Sequence, residues 1–259
     1  MSARSGNVCL WARRLTDSRD YKMRKTFFGT IDTETTIDGK IVDFALVVTD
    51  KHGKIYFTYA AMVKEFYFDR ENHALFYMPE NEFWAKKRLP ARYAAYDAMI
   101  ANGQRIVATI PAINRMLAEV MAKYNPTWTA YNWNYDFGKM RNSGVHVELM
   151  ANNFCLWHAA AHKYVKNKQF RQFILDGHYF NARTKHGNMT FQTNADVMAK
   201  FILNDSDLAD EPHTAFEDAM YYEIPILVDV VKAKKKSDYM EAPAYAWQGV
   251  QVRDWFKPK

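Results

Sequence analysis

Cysteine is scarce in this chain of 259 residues: Cys9 and Cys155 are the two present, and they have no CxxC spacing. That excludes a disulfide framework and suits a reducing compartment. No apolar run is long enough to span a bilayer, and Met1 to Lys25 lacks the apolar core of a secretory signal. The expectation is a soluble, cytoplasmic protein with no membrane partner. Internal repeats and low-complexity tracts are also missing. What is present in quantity is hydrophobic sequence, 49% of the chain, enough for one substantial core and one domain with elaborations.

The formal charge of +6 is unevenly spread. Residues 1–25 hold Arg4, Arg13, Arg14, Arg19, Lys22, Arg24 and Lys25 against Asp17 and Asp20, a net of +5. Residues 232–259 carry a net of +4, with Lys234, Lys235 and Lys236 consecutive, so the body between is slightly acidic. Basic ends on such a body suit a protein that meets a polyanion while keeping acids for a metal. Merely solvated tails are the plainer reading.

The chain is organised around Phe28-Gly29-Thr30-Ile31-Asp32-Thr33-Glu34-Thr35-Thr36. Its period-two pattern reads as a strand that turns Asp32 and Glu34 to one face, within reach of one cation. An unpaired carboxylate at the end of a buried strand costs roughly 2 to 7 kcal/mol unless a metal or hydrogen bonds compensate it. The alternative is an exposed strand end with two solvated acids.

Asp38-Gly39 then supplies a tight turn into a second strand, Ile41 to Thr49. Asp50 to Gly53 turns into a third, Ile55 to Val63, which completes an antiparallel meander. Residues 64–103 are aromatic and charged without a clean period, and read as a partly helical elaboration packed beside the site. Ile113, Met116, Leu117, Val120 and Met121 mark an amphipathic helix, with Pro111 acceptable in its first turn and Asn125-Pro126 ending it. Thr127 to Tyr131 follows as a short strand, expected parallel to the first. Asn132-Trp133-Asn134-Tyr135-Asp136-Phe137 comes straight after, which puts an acid at the carboxyl edge of the sheet. Phe154 to His162 and Lys166 to Ile174 look helical or mixed, Thr184 to Asn188 looks like a turn, and Ala195 to Ile202 fits a short helix.

In Glu211-Pro212-His213-Thr214-Ala215-Phe216-Glu217-Asp218, Thr214 and Glu217 have capping-box spacing. That makes Thr214 the N-cap, leaves His213 on the loop outside, and fixes Asp218 on the first turn. Pro225 lies inside the helix that follows and is expected to kink it. His158 and His162, four apart, have the spacing of zinc ligands but lack an HExxH glutamate or a cysteine pair.

Three motifs in this order, a strand-borne DxET, an NxxYD after a helix-strand unit and HTAxED opening the last helix, resemble the DEDDh exonucleases. These are the DnaQ-like group of the ribonuclease H-like superfamily. The resemblance runs from about residue 26 to 231, and the segment 64–103 resembles a phage or bacterial branch. Trp133, where relatives carry a small or aliphatic residue, and Pro225 are departures from the pattern.

The resemblance implies an α/β fold: a mixed five-stranded sheet, three antiparallel strands then parallel ones, flanked by helices. The domain would span 26–231, between a basic N-terminal extension (1–25) and a basic C-terminal tail (232–259). The implied activity is metal-dependent 3′-to-5′ exonuclease action on single-stranded ends, more readily DNA than RNA, releasing nucleoside 5′-monophosphates. Two Mg²⁺ or Mn²⁺ ions would serve it. Asp32 would bridge both ions, Glu34 and Asp218 would complete the site of the nucleophilic water, and Asp136 would support the second ion. His213 would be the general base. Thr33 and Thr35 would lie at the terminal 3′-OH, and Trp133 would stack on a terminal base, with Tyr135 assigned to the core. The implied setting is the cytoplasm of a bacterial or phage-infected cell, with a polymerase or other protein partner left open. An exoribonuclease of the same chemistry, or a non-catalytic binding module on the same fold, are the rivals.

Overall fold

The computed structural model describes residues 25–76, 92–181, 189–233, 235–250, 252 and 255. The N-terminal extension up to residue 24, residues 77–91 of the aromatic elaboration and the turn expected at 184–188 fall outside them.

Three strands form the expected meander: β1 (Phe27–Thr35), β2 (Ile41–Asp50) and β3 (Ile55–Val63), paired antiparallel in sequence order. Both connecting turns use glycine in the left-handed region, Gly39 at φ 81° and Gly53 at φ 80°, where a side chain would be strained. The elaboration supplies a short α1 (Lys64–Tyr67) and α2 (Arg92–Ala101). After α2 comes β4 (Ile106–Ala108), parallel to β3. Next is α3 (Ile110–Tyr124), where Thr109 Oγ1 accepts the Ala112 N–H and Asn125 closes the helix at φ 42°. The strand β5 (Thr127–Ala130) then pairs parallel to β1, and β6 (Asn153–Cys155) parallel to β5. The order across the sheet is β4-β3-β2-β1-β5-β6. The meander and β5 stand where the sequence reading put strands; β6 adjoins the segment read as helical or mixed, and three-residue β4, too short to leave a periodic signal, extends the edge, so the sheet has six strands rather than the five expected.

Helices cover both faces. One face packs on α3 and on α4 (Trp133–Asn142), where Ile31, Phe44, Leu46, Ile113, Leu117, Trp128 and Met140 are buried together. The other meets α5 (Leu156–Tyr164), α6 (Lys168–Asp176), α7 (Ala195–Leu203) and the last long helix. Tyr239, Trp247 and Val252, from the stretch read as a basic tail, are buried in this second layer. Gly29 opposes Trp128 in the register of β1 and β5, and a Cβ there would come within 2.7 Å of Trp128 Cε3. The bare backbone lets the indole lie against the strand.

The last helix is composite: α8 (Ala215–Asp218), a π-helical turn Ala219–Glu223, then α9 (Ile224–Val230). Next to Pro225, where a kink was expected, the helix has that π turn. Proline donates no backbone hydrogen bond, and a single wide turn ahead of it absorbs the mismatch. Antiparallel β3-β2-β1 continued by parallel strands and flanked by helices matches a ribonuclease H-like architecture. Among the described residues no helix is long and apolar enough to cross a membrane.

Candidate metal centre

Strand alternation puts Asp32 and Glu34 on the face covered by the last helix, since Asp32 pairs with Ala45 and Glu34 with Asp43 in the β1–β2 register. Both α8 and the π turn pack on β1 and β2. Asp218, 5% exposed at the end of α8, thereby comes over Glu34. One ligand atom each from Glu34, His213 and Asp218 lies within 4.8 Å of the other two, a set able to hold one cation.

Asp136 reaches the same region from the opposite face. It lies in the first turn of α4, 3% exposed, and Thr33 Oγ1 donates to its Oδ1 at 2.8 Å. The side chain of Thr33 is thus a brace for Asp136. Thr35 Oγ1 shares a 3.0 Å hydrogen bond with the Tyr135 hydroxyl. The two aromatic residues of this segment exchange their expected places. Trp133 is 6% exposed and packs against Phe137, whereas Tyr135 is 36% exposed. Helical spacing explains the exchange: Trp133, Phe137 and Met140 share the buried stripe of α4, and Tyr135 falls off it.

The carboxylates are held in a state they resist. Burial is the main cause that lifts Asp32, Glu34, Asp218 and a further acid, Glu223, well above the ordinary carboxyl range, and neighbouring negative charges add to it. Asp32 feels the charges of Glu223, Asp136, Glu34 and Asp218. Burial pushes Asp136 up to about 7 even though the Thr33 hydrogen bond works the other way. Asp32 Oδ2, Asp218 Oδ1 and Glu223 Oε2 are buried without a hydrogen-bond partner. Buried, partnerless oxygens among like charges are groups that a metal ion could compensate.

Glu223 carries no motif signal, and sequence reading passed over it. On a regular α-helix a residue five places after Asp218 is rotated by about 140° from it, on another face. The π turn bonds i to i+5 and brings such a pair back toward one side.

The start of the last helix departs from the expected capping box. Thr214 occupies the N-cap, but its hydroxyl makes no cap bond. Asp43 of β2 takes that role, with Oδ2 accepting the Ala215 N–H at 3.0 Å. Glu217 is drawn instead to Arg105, which also bonds Asp43 through Nε at 2.9 Å. A buried guanidinium is the stronger attractor for a carboxylate than one backbone N–H. Burial raises Asp43 despite Arg105, whereas for Glu217 Arg105 outweighs burial and holds the carboxyl below its usual range.

His213 lies outside the helix as expected, with φ 56° in the left-handed region. Its loop is clamped by Arg92 of α2, 3% exposed, whose Nη1 donates to the His213 carbonyl and Nη2 to that of Pro212, each at 2.7 Å. A small cleft lined by Glu34, Thr35, Val42, Leu75, Arg92 and Tyr96 opens beside this clamp. Of the segment 64–103, Leu75, Arg92 and Tyr96 thus lie beside Glu34. His158 is buried among Trp157, Tyr245 and Trp247, and His162 is exposed, so the pair shares no pocket.

No family model matches the chain, and no curated protein does. Among solved structures, the chain is similar to the crystal structure of exonuclease I in complex with inhibitor BCBP. The two share 13% identity at a TM-score of 0.48, over 83% of this chain and 42% of that one. The chain spans less than half the length of that protein.

Proposed function

We propose that the chain is a DEDDh-type, metal-dependent 3′-to-5′ exonuclease that hydrolyses the terminal phosphodiester of single-stranded nucleic acid and releases nucleoside 5′-monophosphates. The observation that carries this reading is the convergence of Glu34, His213 and Asp218 within ligand distance at the end of β1. Asp32 and Asp136 supply further buried carboxyl groups to the same electrostatic cluster.

Asp32, Glu34, Asp136 and Asp218 would hold two divalent cations, which lower the pKa of bound water, neutralise phosphoryl charge and steady the departing oxyanion. The residues of the chain do the rest. The imidazole of His213 takes the proton of the attacking water, from a loop that Arg92 holds in place. Thr33 keeps Asp136 oriented. Exposed Tyr135, rather than buried Trp133, offers an aromatic face beside the acids; stacking on such a face contributes about 1 to 3 kcal/mol per base. Lys139 Nζ lies 5.0 Å from that ring and adds positive charge next to an incoming backbone.

The test is digestion of 5′-labelled single-stranded DNA and RNA of one sequence, with Mg²⁺, with Mn²⁺ and with chelator. A ladder shortening from the 3′ end that stops in chelator is expected, and the ratio of the two rates assigns the sugar. Intact substrates under every metal condition would remove the nuclease reading.

A further inference from the structure

Arg105 lies in the loop between α2 and β4, with its side chain fully buried and no place in the three motifs. Its guanidinium joins two carboxylates from distant parts of the chain. Nε donates to Asp43 Oδ1 at 2.9 Å and Nη2 to Asp43 Oδ2 at 3.3 Å. Nη1 donates to Glu217 Oε1 at 3.2 Å, and Nη2 also bonds Glu217 Oε2.

Each of these two acids adjoins a member of the set able to hold a cation. Asp43 is the partner of Glu34 in the β1–β2 register, so the two side chains stand next to each other on one face of the sheet. Glu217 immediately precedes Asp218 in α8. Asp43 Oδ2 also accepts the Ala215 N–H at 3.0 Å, which joins β2 directly to the first residue of that helix. Thr214 makes no cap bond, so the bonds from Asp43 and Arg105 set where the first turn sits over the sheet. Glu34 and Asp218 each bring a ligand atom within 4.8 Å of the other, although both are buried acids that repel. The network Asp43–Arg105–Glu217 spans the gap between their two elements and holds it closed.

We propose that Arg105 is a positioning residue of the cation site: acting through Asp43 and Glu217, it fixes the separation of Glu34 and Asp218. This rests on the metal-dependent reading of the site. Arg92 grips the His213 loop from the start of α2, so the segment 92–105 carries braces for all three residues of the cluster.

Mn²⁺ binding by the full-length chain, followed by calorimetry and electron paramagnetic resonance without nucleic acid, tests the assignment. Arg105→Lys keeps the charge but cannot bond two carboxylates in the fixed directions of a guanidinium. The Mn²⁺ affinity of the folded variant should fall by about 10- to 100-fold. Leu117→Ala removes buried volume from the helix layer on the opposite face of the sheet and should leave Mn²⁺ affinity at the wild-type value. An equal fall in Leu117→Ala would reduce the effect to general destabilisation and overturn the proposal. Wild-type affinity in Arg105→Lys would also overturn it, with the metal centre left standing. Wild type that binds no Mn²⁺ would end the metal centre and the role of Arg105 together. Should Arg105→Lys fail to fold, Glu217→Asp draws the carboxylate back from Arg105 at a side chain that is 23% exposed. It too keeps the charge, so a fall in affinity reports geometry, and unchanged affinity overturns the assignment.

Discussion

Arg92 grips His213 by its backbone: the guanidinium bonds the His213 carbonyl and, with its other amine, that of Pro212, both at 2.7 Å. A left-handed φ at a histidine is sparsely populated and persists only where surroundings enforce it. The planar fork of Arg92 is that enforcement, and a lysine ammonium cannot reproduce two fixed directions. Arg92→Lys should therefore fold, bind substrate with nearly unchanged KM, and lose up to about 10²-fold in turnover through misplacement of the base. Single-turnover rates of Arg92→Lys equal to wild type would show that the loop holds itself.

His213→Ala should remove the base while leaving Asp218 on its helix. Turnover should fall by roughly 10²- to 10⁴-fold, with Mn²⁺ affinity reduced far less than by loss of a carboxylate. Single-turnover rates at saturating Mn²⁺ measure the loss; a rate equal to wild type would show that His213 is not the base.

Alanine at Asp32, Asp136 or Asp218 should remove nearly all activity and leave the circular dichroism spectrum intact. Each change also relieves repulsion among buried acids, so the metal-free variants should melt no lower than wild type. Wild-type-like turnover in any of the three would break the proposed ligand set.

The same repulsion predicts an unusual pH dependence of stability. Asp136 titrates near 7 in the folded protein, and Asp32, Glu34, Asp218 and Glu223 are all raised. Unfolded carboxyls titrate near 3.9 to 4.3, so the folded state holds extra protons above that range. The stabilisation from those protons is fully present below about pH 4 and is lost as pH rises through the folded values. Glu217, lowered by Arg105, acts in the opposite sense, but only at the acid end below its unfolded value. In chelator, the urea midpoint should be lower at about pH 7.5 than at about pH 5, and saturating Mn²⁺ should close the gap. A midpoint that rises with pH in chelator would contradict this.

Arg105 is fully buried between Asp43 and Glu217. Arg105→Met should strand the Asp43 carboxylate without its counter-charge and cost roughly 3 to 5 kcal/mol of stability. Urea unfolding of the variant measures it; a loss below about 1 kcal/mol would place the pair among ordinary surface bridges.

Much of this architecture was legible because its signals are local. Two glycine turns and three β-branched runs define the meander, and the spacing from Ile113 to Met121 defines α3. The strand-end pair Asp32 and Glu34, Asp136 after a strand and His213 outside a helix follow from the same local patterns. What escaped depends on partners far away in sequence or on helix geometry outside the 3.6-residue period. Thr214 and Glu217 have the spacing of a capping box, yet Arg105 captures Glu217 from 112 positions away. Trp133 and Tyr135 trade places because the phase of α4 is set by packing on the sheet. Glu223 stayed hidden because five-residue spacing matches no face of a regular helix.

The bond from Ala215 to Asp43 closes a loop of 172 positions at the start of the last helix. Closing so long a loop is entropically costly until the sheet already holds Asp43 in place. During synthesis the strand carrying Asp32 and Glu34 leaves the ribosome some 180 residues before His213 and Asp218. The acids of β1 therefore wait, without chemistry, for the last helix. A nascent or truncated chain that stops before residue 213 lacks both His213 and Asp218, and the activity proposed here would wait for the segment that carries them.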